Sequence, residues 1–595
     1  MGAHVQNRWM SVWQRTHVIV LILGLMAGYI TIDTDIPTFG QAIDHSPKKN
    51  IKGSYQSQFR AGAFLAATKA RADGEFSQAA KYYLIALRSD PDNVDLAESL
   101  MRMKLASGHF NDASAIARNL ISSAEHVALS RIVLAIEKLS VNDYKGALTL
   151  VYNLDVQGLN SHFVNLMEAW ANAGLRNSSK ASDLLKALSK ITETREIAAF
   201  HGALIADYLG LVDIADIGYR QSMKLTQNAS LRVVESWANF LQRHNRTDEA
   251  ITIYRDYLKL DPENTLVEAK LASANRGSLV ALFINSPHQG LAEACLNIAN
   301  EFAHNGETED AIIFIQIATH LRPEFDMAKL VLASILESLQ KWEPALGVYR
   351  SIGTDSVHSW NAKLGIANSL DQLNRAESAR RLLEAMARDE PSRTDALIAL
   401  GDMMRLRESW DEAISAYDRA FTRIPTPTEK DWALLYTRGI ALERSGRWNR
   451  AEIDFLHALK LKPNQPFVLN YLGYSWVEQG KHFKRALNML RKATSIRPRD
   501  GYITDSLGWA YYRLGRYNQA VSWLERSATL VPNDPVINDH LGDAYWHVGR
   551  HVEAKFQWRR ALYFKPDAKD VPRIEGKLHL GIMDSPDEIP SSSHE

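Results

Sequence analysis

An alanine recurs along this 595-residue chain about every 34 positions. Ala79, Ala113, Ala147, Ala181 and Ala215 keep the interval without a gap, and Ala250 follows one position late. Ala311, Ala345, Ala379 and Ala413 resume it, and Ala451, Ala486, Ala520 and Ala554 nearly keep it. A fixed period of this size marks one supersecondary unit stacked many times. The chain therefore predicts an array that grows along one axis and never closes on a single core.

The composition of one unit follows from its neighbours. Twelve residues before the alanine the chain carries Ala or Gly in twelve of fourteen units, among them Ala67, Ala169, Gly401, Gly439, Gly508 and Gly542. Met101 breaks the rule and Gly473 misses it by one. Two small residues at fixed separation let two helices approach closely, with large apolar residues such as Leu507, Tyr511 and Leu524 on the flanks. Twelve residues after the alanine proline recurs in nine units, including Pro91, Pro262, Pro498, Pro532 and Pro566. Proline stops the second helix, because it lacks an amide donor and disfavours helix in the residue before it. The aspartates and asparagines of DPDN (90–93) and DPEN (261–264) suit the turn and cap the next helix.

Small residue, small residue and proline at steps of twelve within a 34-residue unit resemble the tetratricopeptide repeat. The segments at 506–532 and 540–566 match its fuller pattern, and the resemblance spans residues 61–566. It implies an all-α fold, a right-handed α-α superhelix of about 14–15 helix pairs, and it implies protein binding in general rather than one partner. DSLGWAYYRLGRY (505–517) and NDHLGDAYWHVGR (538–550) look like exported tetratricopeptide proteins of alphaproteobacteria.

The period slips between Ala250 and Ala311. The segment 273–291, with Gly277, Pro287 and Gly290, reads as a degenerate unit or an inserted loop, a candidate hinge between an array at 61–272 and one at 292–566. Residues 43–60 read as a linker or N-terminal cap, and 567–595 as a capping segment (RIEGKLHLG, 573–581) with a polar tail.

Residues 18–30 (VIVLILGLMAGYI) carry no charge, with Arg8 and Arg15 before them and Asp33 and Asp35 after. That is a signal-type segment, either cleaved after Ala42 or kept as an inner-membrane anchor through 17–32. Both readings export the body of the chain, in a bacterium to the periplasm.

Lys+Arg and Asp+Glu both total 69, so the basic excess of a nucleic-acid binder is missing. The single cysteine, Cys295, forms no internal disulfide and reads as a small buried hydrophobe. No metalloprotease, phosphate-loop, nucleophile-elbow or dinucleotide motif occurs, so no catalytic, cofactor or metal residue is assigned. His540 and His547 read as ordinary helix-face residues.

The resemblance places the partner groove on the first helix of each unit. Carried onto this sequence, its groove positions hold Tyr436, Asn470, Tyr474, Tyr502, Asp505, Trp509, Tyr512, Arg513, Asp539, Asp543 and Trp546. Tryptophan, tyrosine and arginine are typical anchors for a protein or peptide segment. Chaperone-binding arrays hold a terminal carboxylate with lysine and asparagine; the matching positions hold Asn470, Asp505 and Asp539, and the two acids would repel one. With one cysteine the chain also lacks the metal module of the membrane-anchored lipopolysaccharide-assembly regulator. The sequence thus points to a non-enzymatic scaffold, or to a membrane-anchored regulator presenting a partner to an envelope biogenesis, secretion or polysaccharide-export machine.

Overall fold

The computed structural model describes residues 51–582 apart from 124–127, 155, 157–158, 193, 226–229 and 262–263. Among them are thirty α-helices and one short 3-10 turn at Glu429–Asp431, with no strand. The apolar run 18–30, the cleavage point at Ala42, Pro262 and the tail from 583 lie outside the described residues. The helix Ile51–Ala72 starts inside the stretch read as a linker.

The period is explained by packing. All fourteen recurring alanines are at most 1% exposed, so each sits where two helices touch. Opposite them the small residues admit a ring or branched chain. A Cβ added at Gly401 would stand 2.4 Å from Tyr417, and one at Gly542 would stand 2.5 Å from Trp558. Aspartate or asparagine starts many first helices: Asn93 accepts the Leu96 amide at 3.0 Å and Asp534 the Val536 amide at 2.8 Å. Each such cap is worth about 1 kcal/mol.

The turn inside each pair obeys a second rule. Five or six residues before each alanine the backbone is left-handed, as at Gly74 (φ 70°), Asn142 (φ 63°), Gly515 (φ 69°) and Gly549 (φ 80°). The next amide then bonds back into the first helix and closes its end, as Glu75 does to the Ala70 carbonyl at 2.8 Å. Arg176, Gln340 and Glu408 hold the same conformation with a Cβ, which stores strain of about 1–2 kcal/mol each.

The helices form two compact units, one ending at Arg375 and the other starting at Ala376. The segment 273–291 lies within the first unit. There, after the helix Thr265–Asn275, the chain leads into the helices Pro287–His304 and Thr308–Leu321. This pair lies against the first helices of the earlier pairs and against the start of the second helix Phe110–Ser123. Phe314 meets Phe163 at 4.8 Å, His320 stacks on Phe110 at 4.0 Å, and Gly290 lies against Trp170. Every residue from Gly290 to Leu296 and from Ala311 to Ile315 is buried. A helix buried on consecutive positions has no solvent face. Ion pairs close the rim: Arg71 with Glu309 at 2.6 Å, Arg102 with Asp310 at 2.6 Å, and Arg232 with Glu293. The expected array without a closed core is thus corrected for this unit. Its repeats wrap a pair of their own chain, and Cys295 is buried in that pair.

Candidate partner-binding site

In the second unit the first helices are Asp395–Leu406, Trp432–Arg444, Pro466–Glu478, Gly501–Arg513 and Pro535–His547, followed by a lone helix Val571–Leu580. All eleven residues read from the sequence as groove positions lie on four of these helices, and the structure separates them into two groups.

Tyr436, Asn470, Tyr474, Asp505, Asp539 and Asp543 are buried rather than exposed. The reason is that side chains one repeat apart reach each other along this face. Tyr436 meets Tyr471 edge-on at 5.8 Å. Asp505 faces His540, whose Nδ1 lies 3.0 Å from the carboxylate. Burial works against charge on this ring, but Asp505, with Asp539 and Asp543 behind it, raises its pKa above the ordinary imidazole value.

The last rung comes from the chain itself. Lys577 bonds Asp539 at 3.0 Å and Asp543 at 2.5 Å, and Arg573 meets Asp539 at 2.7 Å. The Trp558 indole N–H donates to Asp543 at 2.9 Å. Burial and the neighbouring Asp539 push the Asp543 carboxyl up, whereas the charges of Lys577 and Arg573 overcome burial at Asp539 and hold it down. The helix Val571–Leu580 therefore covers the acidic pair, and Gly581 after it leaves room for Trp546: a Cβ there would stand 2.0 Å from the ring.

Tyr502, Trp509, Tyr512, Arg513 and Trp546 are half-buried. Trp509 and Tyr512 belong to a run of rings, and Trp546 to a separate stack. Trp509 is stacked between His540 at 4.0 Å and Tyr512 at 4.6 Å. Tyr512 meets Tyr517 at 5.5 Å, Tyr517 stacks on His547 at 4.5 Å, and Trp546 stacks on His551 at 4.1 Å. Glu478 fixes the near end, accepting the Trp509 indole N–H at 2.7 Å and pairing with Arg513 at 3.0 Å. The result is a half-exposed strip of flat rings beside one guanidinium, resting on a floor of paired charges. Such a strip offers stacking faces and a fork of donors to an extended or helical segment.

Sequence reasoning missed Glu478, His540, Tyr517, His547, Arg573 and Lys577 as parts of this arrangement. The period carried the signal for two of them: Arg573 and Lys577 stand 34 residues beyond Asp539 and Asp543 with the opposite charge. No helix among the described residues is long and apolar enough to cross a membrane, and no group of three potential metal ligands occurs among them.

A tetratricopeptide repeat family model matches residues 364–426 and 472–535. A tetratricopeptide-repeat-containing protein of Pseudomonas aeruginosa is 25% identical over 196 residues, 33% of this chain and 32% of that protein. The chain thus matches about a third of that relative's length. Among solved structures, the Cut9–Hcn1 complex of the APC/C aligns with 87% of this chain and 96% of its own at 14% identity and a TM-score of 0.37. MamA from Desulfovibrio magneticus aligns with 29% of this chain and 94% of its own at 22% identity and a TM-score of 0.26. At these scores neither likeness bears on function.

Proposed function

We propose that this chain, which is a tetratricopeptide repeat protein, is a non-catalytic scaffold of the bacterial envelope that holds a segment of a protein partner along its second unit. The observation that carries the reading is the half-exposed strip of Trp509, Tyr512, Tyr517, His547 and Trp546 beside Arg513. Aromatic rings and arginine resting on a buried floor are the make-up of an interface anchor. In the first unit the helices Pro287–His304 and Thr308–Leu321 occupy the face of the first helices Leu159–Gly174 and Val94–Ala106, with residues 290–296 and 311–315 buried.

Trp509 is packed on both sides, so its removal also loosens the fold. Arg513→Ala with Tyr517→Ala is the second variant: both side chains are half-buried, and circular dichroism controls for the contacts that Tyr517 makes with Tyr512 and His547 and Arg513 with Glu478. Capture of envelope proteins by the wild type should fall at least about tenfold in the double variant, the loss of two modest anchors, with the helical circular dichroism unchanged. Equal capture by the folded variant sinks the reading.

The envelope assignment rests on the uncharged run 18–30 flanked by Arg15 and Asp33. The same run supports a second reading, an inner-membrane-anchored regulator that presents its partner to an envelope machine. N-terminal sequencing of the mature protein separates them: a start at Ile43 favours the free scaffold, and Met1 recovered from membranes favours the anchor.

A further inference from the structure

The second helices of the second unit provide their own control. Measured from each recurring alanine, the positions two before, two after, five after and nine after point to solvent. In the helix Tyr517–Leu530 these are Asn518, Ser522, Glu525 and Thr529. In Phe483–Ile496 all four are hydrophilic too, and among all the earlier second helices of this unit only Ile453 is a strongly exposed apolar side chain at such a position. In His551–Tyr563 the four are Val552, Phe556, Arg559 and Tyr563. Val552 is 81% exposed, Phe556 56% and Tyr563 79%. The repeat does not require this row, because the other copies in this unit fold with at most one strongly exposed apolar side chain there.

The charges beside the row are unbalanced. Glu553 is taken by Arg550 at 3.0 Å, and Glu525 by the same guanidinium at 2.9 Å. Arg560 donates to the Pro532 carbonyl at 2.8 Å. Lys555, Arg559 and Lys565 have no ion-pair partner among the described residues, so the free charge around the row is positive. From Val552 to Tyr563 the helix rises about 16 Å. Three side chains on one convex rod are far short of the roughly 800 Å² that a stable protein interface takes from each partner. They suit a bilayer, where apolar side chains enter the headgroup boundary while lysine and arginine meet phosphates.

We propose that the outward face of the helix His551–Tyr563 docks on an anionic lipid surface, with Val552, Phe556 and Tyr563 entering the interface and Lys555, Arg559 and Lys565 binding lipid phosphates. The docking residues are different from those of the partner strip, which lie on the helices Gly501–Arg513 and Pro535–His547 and at Tyr517.

The sole native cysteine is buried, so a full-length Val552→Cys chain takes an environment-sensitive fluorophore at one place. Vesicles of phosphatidylglycerol and phosphatidylcholine in equal parts should shift its emission to the blue, and pure phosphatidylcholine should not. High salt should reverse the shift, and Lys555→Gln with Arg559→Gln should weaken vesicle binding by at least about tenfold. A label at Ile453→Cys should stay unchanged. A silent label at 552, an equal shift at 453 from adsorption through another part of the chain, or a response only to an acidic protein overturns the proposal.

Discussion

The two units solve the same packing problem with different materials. In the first, the repeats meet a pair of helices from their own chain, and the middle of the contact is mostly apolar, Phe163 on Phe314 and Trp170 over Gly290, with ion pairs at its rim. In the second, neighbouring repeats meet through rings and charges: Asp505 with His540, Asp539 and Asp543 with Lys577. An apolar filling occupies the inner face. A polar one leaves half-exposed rings at its edge, and it makes this unit depend on the charge state of its residues.

The largest effect expected from breaking this contrast is in the first unit. Phe314→Ala removes a ring held between Phe163 and Phe302 and should destabilise that unit by about 3–5 kcal/mol. Segment-resolved hydrogen exchange should show the loss across the first unit and no change at 501–547. Equal loss in both would mean that they do not unfold separately.

The two buried histidines give the sharpest test, because their signs oppose. His201 accepts the Trp170 N–H at 3.0 Å and faces Asn297 at 3.0 Å, and burial lowers its pKa to about 4. Between about pH 6.5 and 4 the unfolded chain binds a proton that the native ring refuses. The first unit should therefore lose on the order of 3 kcal/mol over that window. His540 has its pKa raised, so its contribution is complete below about pH 6.5 and is lost as pH rises through the folded value. Urea midpoints followed against pH should move in opposite directions in the two units, and Asp505→Asn should flatten the alkaline limb alone. Parallel profiles would refute the contrast.

Lys577→Met should be felt next, releasing the helix Val571–Leu580 from Asp539 and Asp543 at a cost of about 1–3 kcal/mol. Exchange at 571–580 should rise while the first unit stays silent. The smallest effect tests what the units share. Gln340→Gly in the first and Glu408→Gly in the second remove left-handed strain at equivalent turns. Each should raise stability by about 0.5–1 kcal/mol in thermal unfolding.

Much of this architecture was legible because sterics repeat. A residue that must be small at every helix crossing leaves a periodic mark, and the fourteen alanines carry it. The left-handed turn left its mark as well, in Gly74, Gly108, Asn142, Gly210 and Asn245, and it went unread because its residue type varies. The filling of the first unit stayed hidden for a different reason. Ala299, Ala311 and Pro323 keep the repeat's spacing, so the pair looks like any other in its anchors. Only the uninterrupted apolar run at 311–315 betrays a helix without a wet side. The acidic positions misled because charge in a sequence reads as surface. Asp539 and Asp543 are buried because their counter-charges arrive one period later.

The closure of the first unit also has a consequence in time. An ordinary repeat array is assembled from neighbours, and each pair can settle as soon as the next one exists. Here Arg71 finds Glu309 across 238 residues, and Lys341 finds Glu75 across 266. Contacts of that span slow folding, since the chain must be brought together before they return anything. During synthesis at 5–20 residues per second, the helix Arg195–Tyr208 emerges roughly ten seconds before Thr308–Leu321. For that interval the early repeats hold an apolar face with nothing against it. The second unit, whose rungs join residues about 35 apart, has no such wait.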